Sequence, residues 1–247
     1  MAGWWAVISV ILVSSVSLAG LASFYLDEKR LNSYLHFLVS LSVGAMFGDA
    51  FIHLLPEAFA HASSPMETPS YLLAGLFLFF LMEKFLRWRH QHIPHCDSCV
   101  EPLGYANLVA DGVHNFIDGL LIGAAYLISI PIGIATSLAV LMHEIPQEIS
   151  DFAVLLHAGF SRSRALLLNG FCALLSVVGV LVALAAGGRV NALAQAMLPI
   201  TAGGFIYIAG CDLVPELHRQ NGVRQSLLQC LGITLGTGVM LLLRQLR

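Results

Sequence analysis

The chain has 247 residues, of which 57% are hydrophobic and only 11% are charged, and its formal net charge is −3. An ordinary soluble domain is about 25% charged, so this composition excludes a water-soluble globular monomer. No basic patch with interleaved aromatic residues occurs, which argues against nucleic acid as a partner. The mean hydropathy is +0.81. We therefore predict an all-α, multi-pass membrane protein whose environment is the lipid bilayer.

Eight membrane spans are predicted, because apolar segments of about 20 residues, enough to cross a bilayer, recur along the whole chain. Their approximate bounds are 4–26, 33–57, 70–89, 103–127, 132–157, 163–187, 191–217 and 223–245. The first segment lacks a positively charged start, so we interpret it as a span rather than a cleaved signal peptide. The connections are short, so residues 1–247 are expected to form one transmembrane domain, an eight-helix bundle.

The connection after the third span, residues 90–102, is rich in potential metal ligands. They are His90, His92, His95, Cys96 and Cys99. A short His/Cys tract is able to bind zinc or copper, whereas the simpler alternative is a solvated basic loop. We predict metal binding in this loop without expecting it to be necessary for the main activity.

The fourth and fifth spans carry polar motifs at their centres, "HNFIDG" (114–119) and "HEIPQE" (143–148). A charged side chain at that depth costs roughly 2.5–3.5 kcal/mol. The two spans contain five acids and no lysine or arginine: Asp111, Asp118, Glu144, Glu148 and Asp151. Either the acids are protonated, or a cation that is not a side chain neutralises them.

The spacing of these residues favours a bound cation. Three pairs are four residues apart and so share a helical face: His114 with Asp118, His143 with Gln147, and Glu144 with Glu148. Two such faces turned together would direct imidazole nitrogens and carboxylate oxygens at one point, and Asn115 adds an amide oxygen. That mixed set suits a divalent transition metal. Interhelical hydrogen bonding is the usual role of a single polar residue in a membrane helix, but the number here favours an ion site.

The second and seventh spans end in similar motifs, "HLLPE" (53–57) and "DLVPE" (212–216). These spans run in opposite directions, as do the fourth and fifth, so the similarity is inverted. Inverted repeats around a midplane site occur in many transporters. We predict inverted pseudo-repeats around the fourth and fifth spans. A pathway is predicted along Asp111, Asp151, His53, Glu57, Asp212 and Glu216, with polar capping at the membrane surface as the alternative for the last four.

The orientation follows from the lysines and arginines, which are enriched on the cytoplasmic side of membrane proteins. Nine of the twelve lie in or beside the connections that follow the odd-numbered spans. This distribution predicts that both termini are extracytoplasmic and that residues 90–102 are cytoplasmic. We expect the protein in the plasma or inner membrane, with an endomembrane as the alternative.

The motif "HNFIDG", followed in the next span by "HEIPQEISDFAVLLHAG", resembles the signature of the ZIP family of metal-ion transporters. It is most similar to the subfamily whose fifth span reads HEIPHE. The resemblance covers the whole chain, including the eight spans, the external termini and the histidine-bearing loop. It implies a homodimer that is not an enzyme, uses no organic cofactor, and carries Zn²⁺, and also Fe²⁺, Mn²⁺ or Cd²⁺, toward the cytosol through a binuclear midplane site.

The resemblance implies a first metal position formed by His114, Asp118, His143 and Gln147. Gln147 stands where the subfamily usually has histidine. An amide oxygen is a weaker and harder ligand than imidazole, so the departure leaves the metal preference open.

For the second metal position the resemblance implies Asn115, Asp118 and Glu144, with Asp118 bridging the two metals. Glu148 is an additional ligand or a proton acceptor in this interpretation.

Two other functions fit parts of the sequence. An intramembrane zinc protease would use "HEIPQ", but Gln147 replaces the second histidine of the HExxH motif. A zinc-dependent lipid hydrolase would instead use dispersed histidines and aspartates. A proton or cation channel would use Asp111, Asp118 and Asp151 as relay groups without binding a metal.

Overall fold

The computed structural model describes residues 2–25, 28–91, 101–187, 190–219 and 222–245. Every regular element in these ranges is helical. The helices are α1 (Ala2–Ser14), α2 (Glu28–Gly48), α3 (Leu55–His61), α4 (Glu67–Gln91), α5 (Pro102–Ile128), α6 (Ile130–His157), α7 (Arg162–Ala173), α8 (Leu175–Ala186), α9 (Val190–Tyr207), α10 (Val214–His218) and α11 (Val223–Gln245). A 3₁₀ segment, Ser15–Tyr25, continues α1, and π-helical turns at Asp49–Leu54 and Ile208–Leu213 join α2 to α3 and α9 to α10.

Within these described ranges, six helical stretches are long and apolar enough to cross a membrane. They are Leu35–His61, Glu67–Leu86, Pro102–Ile128, Arg162–Ala186, Ala192–His218 and Val223–Gln245. The 28 residues of α6 are also long enough, but its polar motif lowers its hydropathy, and the apolar stretch Ala2–Leu18 is shorter. The protein is therefore an all-helical, polytopic membrane protein.

Reciprocal glycines hold three helix pairs in close backbone contact: α2 with α11, α4 with α9, and α5 with α8. If either glycine of a pair carried a side chain, its Cβ would collide with the backbone of the partner helix. The glycines are Gly44 and Gly236, Gly75 and Gly203, and Gly119 and Gly179. Small residues permit this approach in a bilayer, where packing rather than water drives helix association.

The helices form two groups. The first contains α1 and α5–α8, and the second contains α2–α4 and α9–α11. The groups meet where α2 packs against α6 and α5 packs against α9. Of the 18 most apolar consecutive residues in α5, 72% are buried, whereas the corresponding share is 17% in α4 and in α11. Helix α5 is therefore central in the bundle, and the other two helices are peripheral. The polar faces of α5 and α6 therefore lie at the boundary between the two groups.

The first π-helical turn, Asp49–Leu54, lies just before Pro56. Proline has no N–H to donate, so the carbonyl of Ile52 loses its usual helical partner. The guanidinium of Arg244 donates to that carbonyl at 2.5 Å instead. π-Helical turns are frequent at functional sites, and this one contains Asp49 and His53, both of which are buried.

Candidate metal centre

Four residues of α5 and α6 converge in the interior. They are His114 and Asp118 of α5 and His143 and Glu144 of α6, and one ligand atom from each lies within 4.8 Å of the others. None of these side chains is more than 4% exposed. The turn between the two helices is Ser129 alone, so the helices are antiparallel neighbours and their polar faces lie at the same depth.

In this four-residue cluster, two imidazole nitrogens and two carboxylates face the same small volume. Nε2 of His143 lies 3.0 Å from Oδ2 of Asp118. Nε2 of His114 lies 3.7 Å from the same oxygen and 3.5 Å from Oε1 of Glu144. No lysine or arginine occurs in α5 or α6. A divalent cation bound between the imidazoles and carboxylates would supply the missing positive charge.

Several polar atoms around the cluster are buried without a hydrogen-bond partner. Both ring nitrogens of His114, Oε1 of Glu144, and both amide atoms of Gln147 are in this state. A buried polar group that is left unpaired costs about 1–3 kcal/mol, and more if it is charged. The donor set, nitrogen and oxygen at the centre of a membrane helix pair, fits zinc and similar ions.

Asp49 joins the cluster from the second helix group, although the sequence motifs did not point to it. Its Oδ2 lies 3.7 Å from Nδ1 of His114, and its Oδ1 lies 3.1 Å from Nδ1 of His53. The ring of His53 in turn lies 6.0 Å from that of His143. The sequence feature that points to Asp49 is its position one helical turn before His53, which places both residues on one face of the helix.

A second set of polar residues continues from the cluster along α5 and α6. Three asparagines each donate to an acid: Asn115 to Asp111 at 2.8 Å, Asn107 to Asp151 at 3.1 Å, and Asn169 of α7 to Glu148. Each of these six residues also keeps one buried oxygen that accepts no hydrogen bond. We call these three pairs the asparagine–acid set.

Four members of the asparagine–acid set were predicted from the sequence, namely Asp111, Asn115, Glu148 and Asp151, but the other two asparagines were not. Asn107 had a signal, since it lies four residues before Asp111 on the same face of α5. Asn169 had none, because it belongs to another span.

The remaining predicted residues lie outside the four-residue cluster. Glu57 is exposed and pairs with His61 at 3.4 Å. Asp212 lies in the second π-helical turn, and Glu216 pairs with Arg219 at 2.6 Å and with His157 at 3.8 Å. The predicted loop ligands, namely the side chain of His90 and residues His92, His95, Cys96 and Cys99, lie outside the described part of the chain.

Comparison with known proteins gives matches over nearly the whole chain. A sequence profile described as "ZIP Zinc transporter" matches residues 2–102 and 97–244. "Zinc transporter ZIP13" of Pongo abelii is 36% identical over 220 residues, covering 83% of this chain and 65% of the relative. "Zinc transporter ZIP13" of Danio rerio is 33% identical over 261 residues, covering 83% and 75%. "Zinc transporter SLC39A7" of Canis lupus familiaris is 30% identical over 311 residues, covering 89% and 66%. The chain thus spans about two thirds of the length of two of these relatives.

Proposed function

Because this chain belongs to the ZIP zinc transporter family, we propose that it carries divalent metal ions across the membrane, with zinc as a substrate. The observation that carries the proposal is the convergence of His114, Asp118, His143 and Glu144 within 4.8 Å of one another. The metal is cargo, not a resident cofactor, and the activity is transport rather than catalysis. Fe²⁺, Mn²⁺ and Cd²⁺ are further proposed substrates. Imidazole suits Fe²⁺, and carboxylate and amide oxygens suit Mn²⁺, whereas Cd²⁺ rests on the family resemblance alone.

The first proposed metal position uses His114, Asp118, His143 and Gln147. Oδ2 of Asp118 lies 3.0 Å from Nε2 of His143 and 3.7 Å from Nε2 of His114. The buried amide of Gln147, one turn after His143, supports a fourth ligand.

The second proposed position uses Asn115, Asp118 and Glu144, with Glu148 as an additional ligand or proton acceptor. Oδ2 of Asp118 is near both imidazoles, and Oε1 of Glu144 is 3.5 Å from His114, which supports Asp118 as the bridging group.

The proposed route continues through the asparagine–acid set toward the cytoplasmic ends of α5 and α6. Its buried oxygens would replace the water around a moving cation. We place His53 and Glu57 on the opposite side of the centre in this route. Asp212, in the second π-helical turn, and Glu216, in the following helix α10, are further proposed members.

Movement of one helix group against the other would open the centre to each side in turn. We also propose eight spans, external termini and inverted pseudo-repeats. The paired π-helical turns support the repeats, because each turn runs into the start of its motif, "HLLPE" or "DLVPE". A homodimer and a location in the cell membrane rest on the family resemblance, as does binding of metal by residues 90–102.

Uptake of radiolabelled zinc into proteoliposomes tests the proposal. We expect uptake to fall to background in His143→Ala and in Asp118→Ala, because each variant removes a ligand from the cluster. His61→Ala is the matched control, since that histidine is half-exposed at the end of α3. Wild-type uptake in both site variants would exclude transport through this centre.

A further inference from the structure

His114 has acidic groups on both edges of its ring. Nε2 faces Asp118 and Glu144 at 3.7 and 3.5 Å, and Nδ1 faces Oδ2 of Asp49 at 3.7 Å. The ring is fully buried, and neither nitrogen makes a hydrogen bond. The two sides differ in origin, because Asp118 and Glu144 belong to the first helix group and Asp49 belongs to the second.

A histidine that binds a metal must use one neutral ring nitrogen, and it usually donates the N–H of the other to a carboxylate or carbonyl. That second contact fixes both the tautomer and the orientation of the ring. At His114 the nitrogen turned toward the proposed metal is Nε2. The proton is therefore required on Nδ1, which is the nitrogen that faces Asp49.

The carboxylate of Asp49 is positioned to accept a hydrogen bond from this Nδ1–H. Its other oxygen, Oδ1, is already engaged by His53 at 3.1 Å, which holds the carboxylate in place. Its Oδ2 is buried, accepts no hydrogen bond, and is the oxygen nearest to His114. An approach of about 0.5 Å would bring the pair to hydrogen-bond distance.

We propose that Asp49 is a positioning residue of the metal centre: it accepts the Nδ1–H of His114 and so directs Nε2 at the metal. This inference rests on the proposed metal-transport function. Because Asp49 and His114 lie in different helix groups, the contact also crosses the boundary between the groups. Metal bound at Nε2 makes the Nδ1–H more acidic and strengthens its bond to Asp49. By linkage, the contact between the groups in turn favours the bound metal.

Titration of the purified full-length protein with Co²⁺, followed by its visible ligand-field absorption, tests the proposal. The signal of the centre is the part that His143→Ala removes, which separates it from metal bound elsewhere. We expect Asp49→Ala to raise the Kd for Co²⁺ by about 10–100-fold, the usual loss of affinity when the hydrogen-bond partner of a metal-binding histidine is removed. Asp49→Asn keeps a neutral acceptor oxygen, so its Kd should lie between those of Asp49→Ala and the wild type.

Glu83→Gln is the matched control, because Glu83 is another buried acid of the second group, and it accepts a hydrogen bond from Tyr207 at 2.5 Å. Its Kd and spectrum should equal those of the wild type. A wild-type Kd in both Asp49 variants, with the signal still lost in His143→Ala, would overturn the role of Asp49. That role is also overturned if Asp49→Asn binds no better than Asp49→Ala, since a purely structural defect predicts no rescue. If His143→Ala leaves the whole signal intact, the proposed function itself fails.

Discussion

Gln147 is the residue at which this chain departs from the HEIPHE motif that its sixth helix resembles, and its surroundings give the departure a physical meaning. It lies one turn after His143, and its amide is buried with no hydrogen-bond partner for either atom. Imidazole is a better zinc ligand than an amide oxygen, whereas oxygen ligands favour harder ions such as Mn²⁺. We therefore propose that glutamine at this position gives the centre a broader choice of metals than histidine would.

We predict that Gln147→His increases the preference for zinc over manganese by about tenfold, equivalent to about 1.4 kcal/mol. The reason is that an imidazole replaces the amide in the first metal position. Competition between the two ions for uptake into proteoliposomes measures the change. Gln147→Leu is the control, since it removes the oxygen and adds no donor atom. An equal gain in the Leu variant would contradict the binding of zinc by the new imidazole.

At the same scale, the sequence could predict the four-residue cluster because its members lie on two successive spans at helical spacing. The structure turns His114, Asp118, His143 and Glu144 toward one volume, as the spacing indicates. The spacing of Asp49 from His53 indicates a shared face, but nothing in the local pattern says that this face meets His114 of α5.

At the scale of helices, close backbone contact between α2 and α11 is the clearest example of a pairing that local patterns do not reveal. Gly44 and Gly236 are almost 200 residues apart, yet each faces the backbone of the other helix. A glycine in an apolar helix suggests close packing but does not name the partner. The partner follows only from how the whole bundle is assembled.

Two glycines of α11 give a matched test of this packing. A Cβ at Gly236 would collide with the backbone of Leu41 and Ala45, whereas a Cβ at Gly238 would meet nothing within 4 Å. We predict that Gly236→Ala destabilises the protein by about 1–3 kcal/mol, as expected for overpacking. Gly238→Ala should be neutral or slightly stabilising, because alanine is the better helix former. Thermal unfolding in one detergent compares them, and equal transition temperatures would contradict the close contact.

At the scale of the whole molecule, the candidate metal centre lies where two helix groups meet. α5 and α6 supply the four-residue cluster, and the π-helical turn after α2, in the other group, supplies Asp49. The sequence predicted an all-helical membrane protein from composition and span length alone. It could not assign helices to groups, because α2 finds its closest partner, α11, at the far end of the chain, and such pairings depend on shape.

We propose that His114, Asp118, His143 and Glu144 bind the transported metal. Zinc K-edge X-ray absorption tests it most directly, using a variant in which His90, His92, His95, Cys96 and Cys99 are replaced so that the loop contributes no ligand. We predict nitrogen and oxygen ligands at about 2.0–2.1 Å with imidazole scattering, and a weaker imidazole signal when His143→Ala is added. Sulfur ligands at about 2.3 Å, or a spectrum that His143→Ala leaves unchanged, would contradict the account.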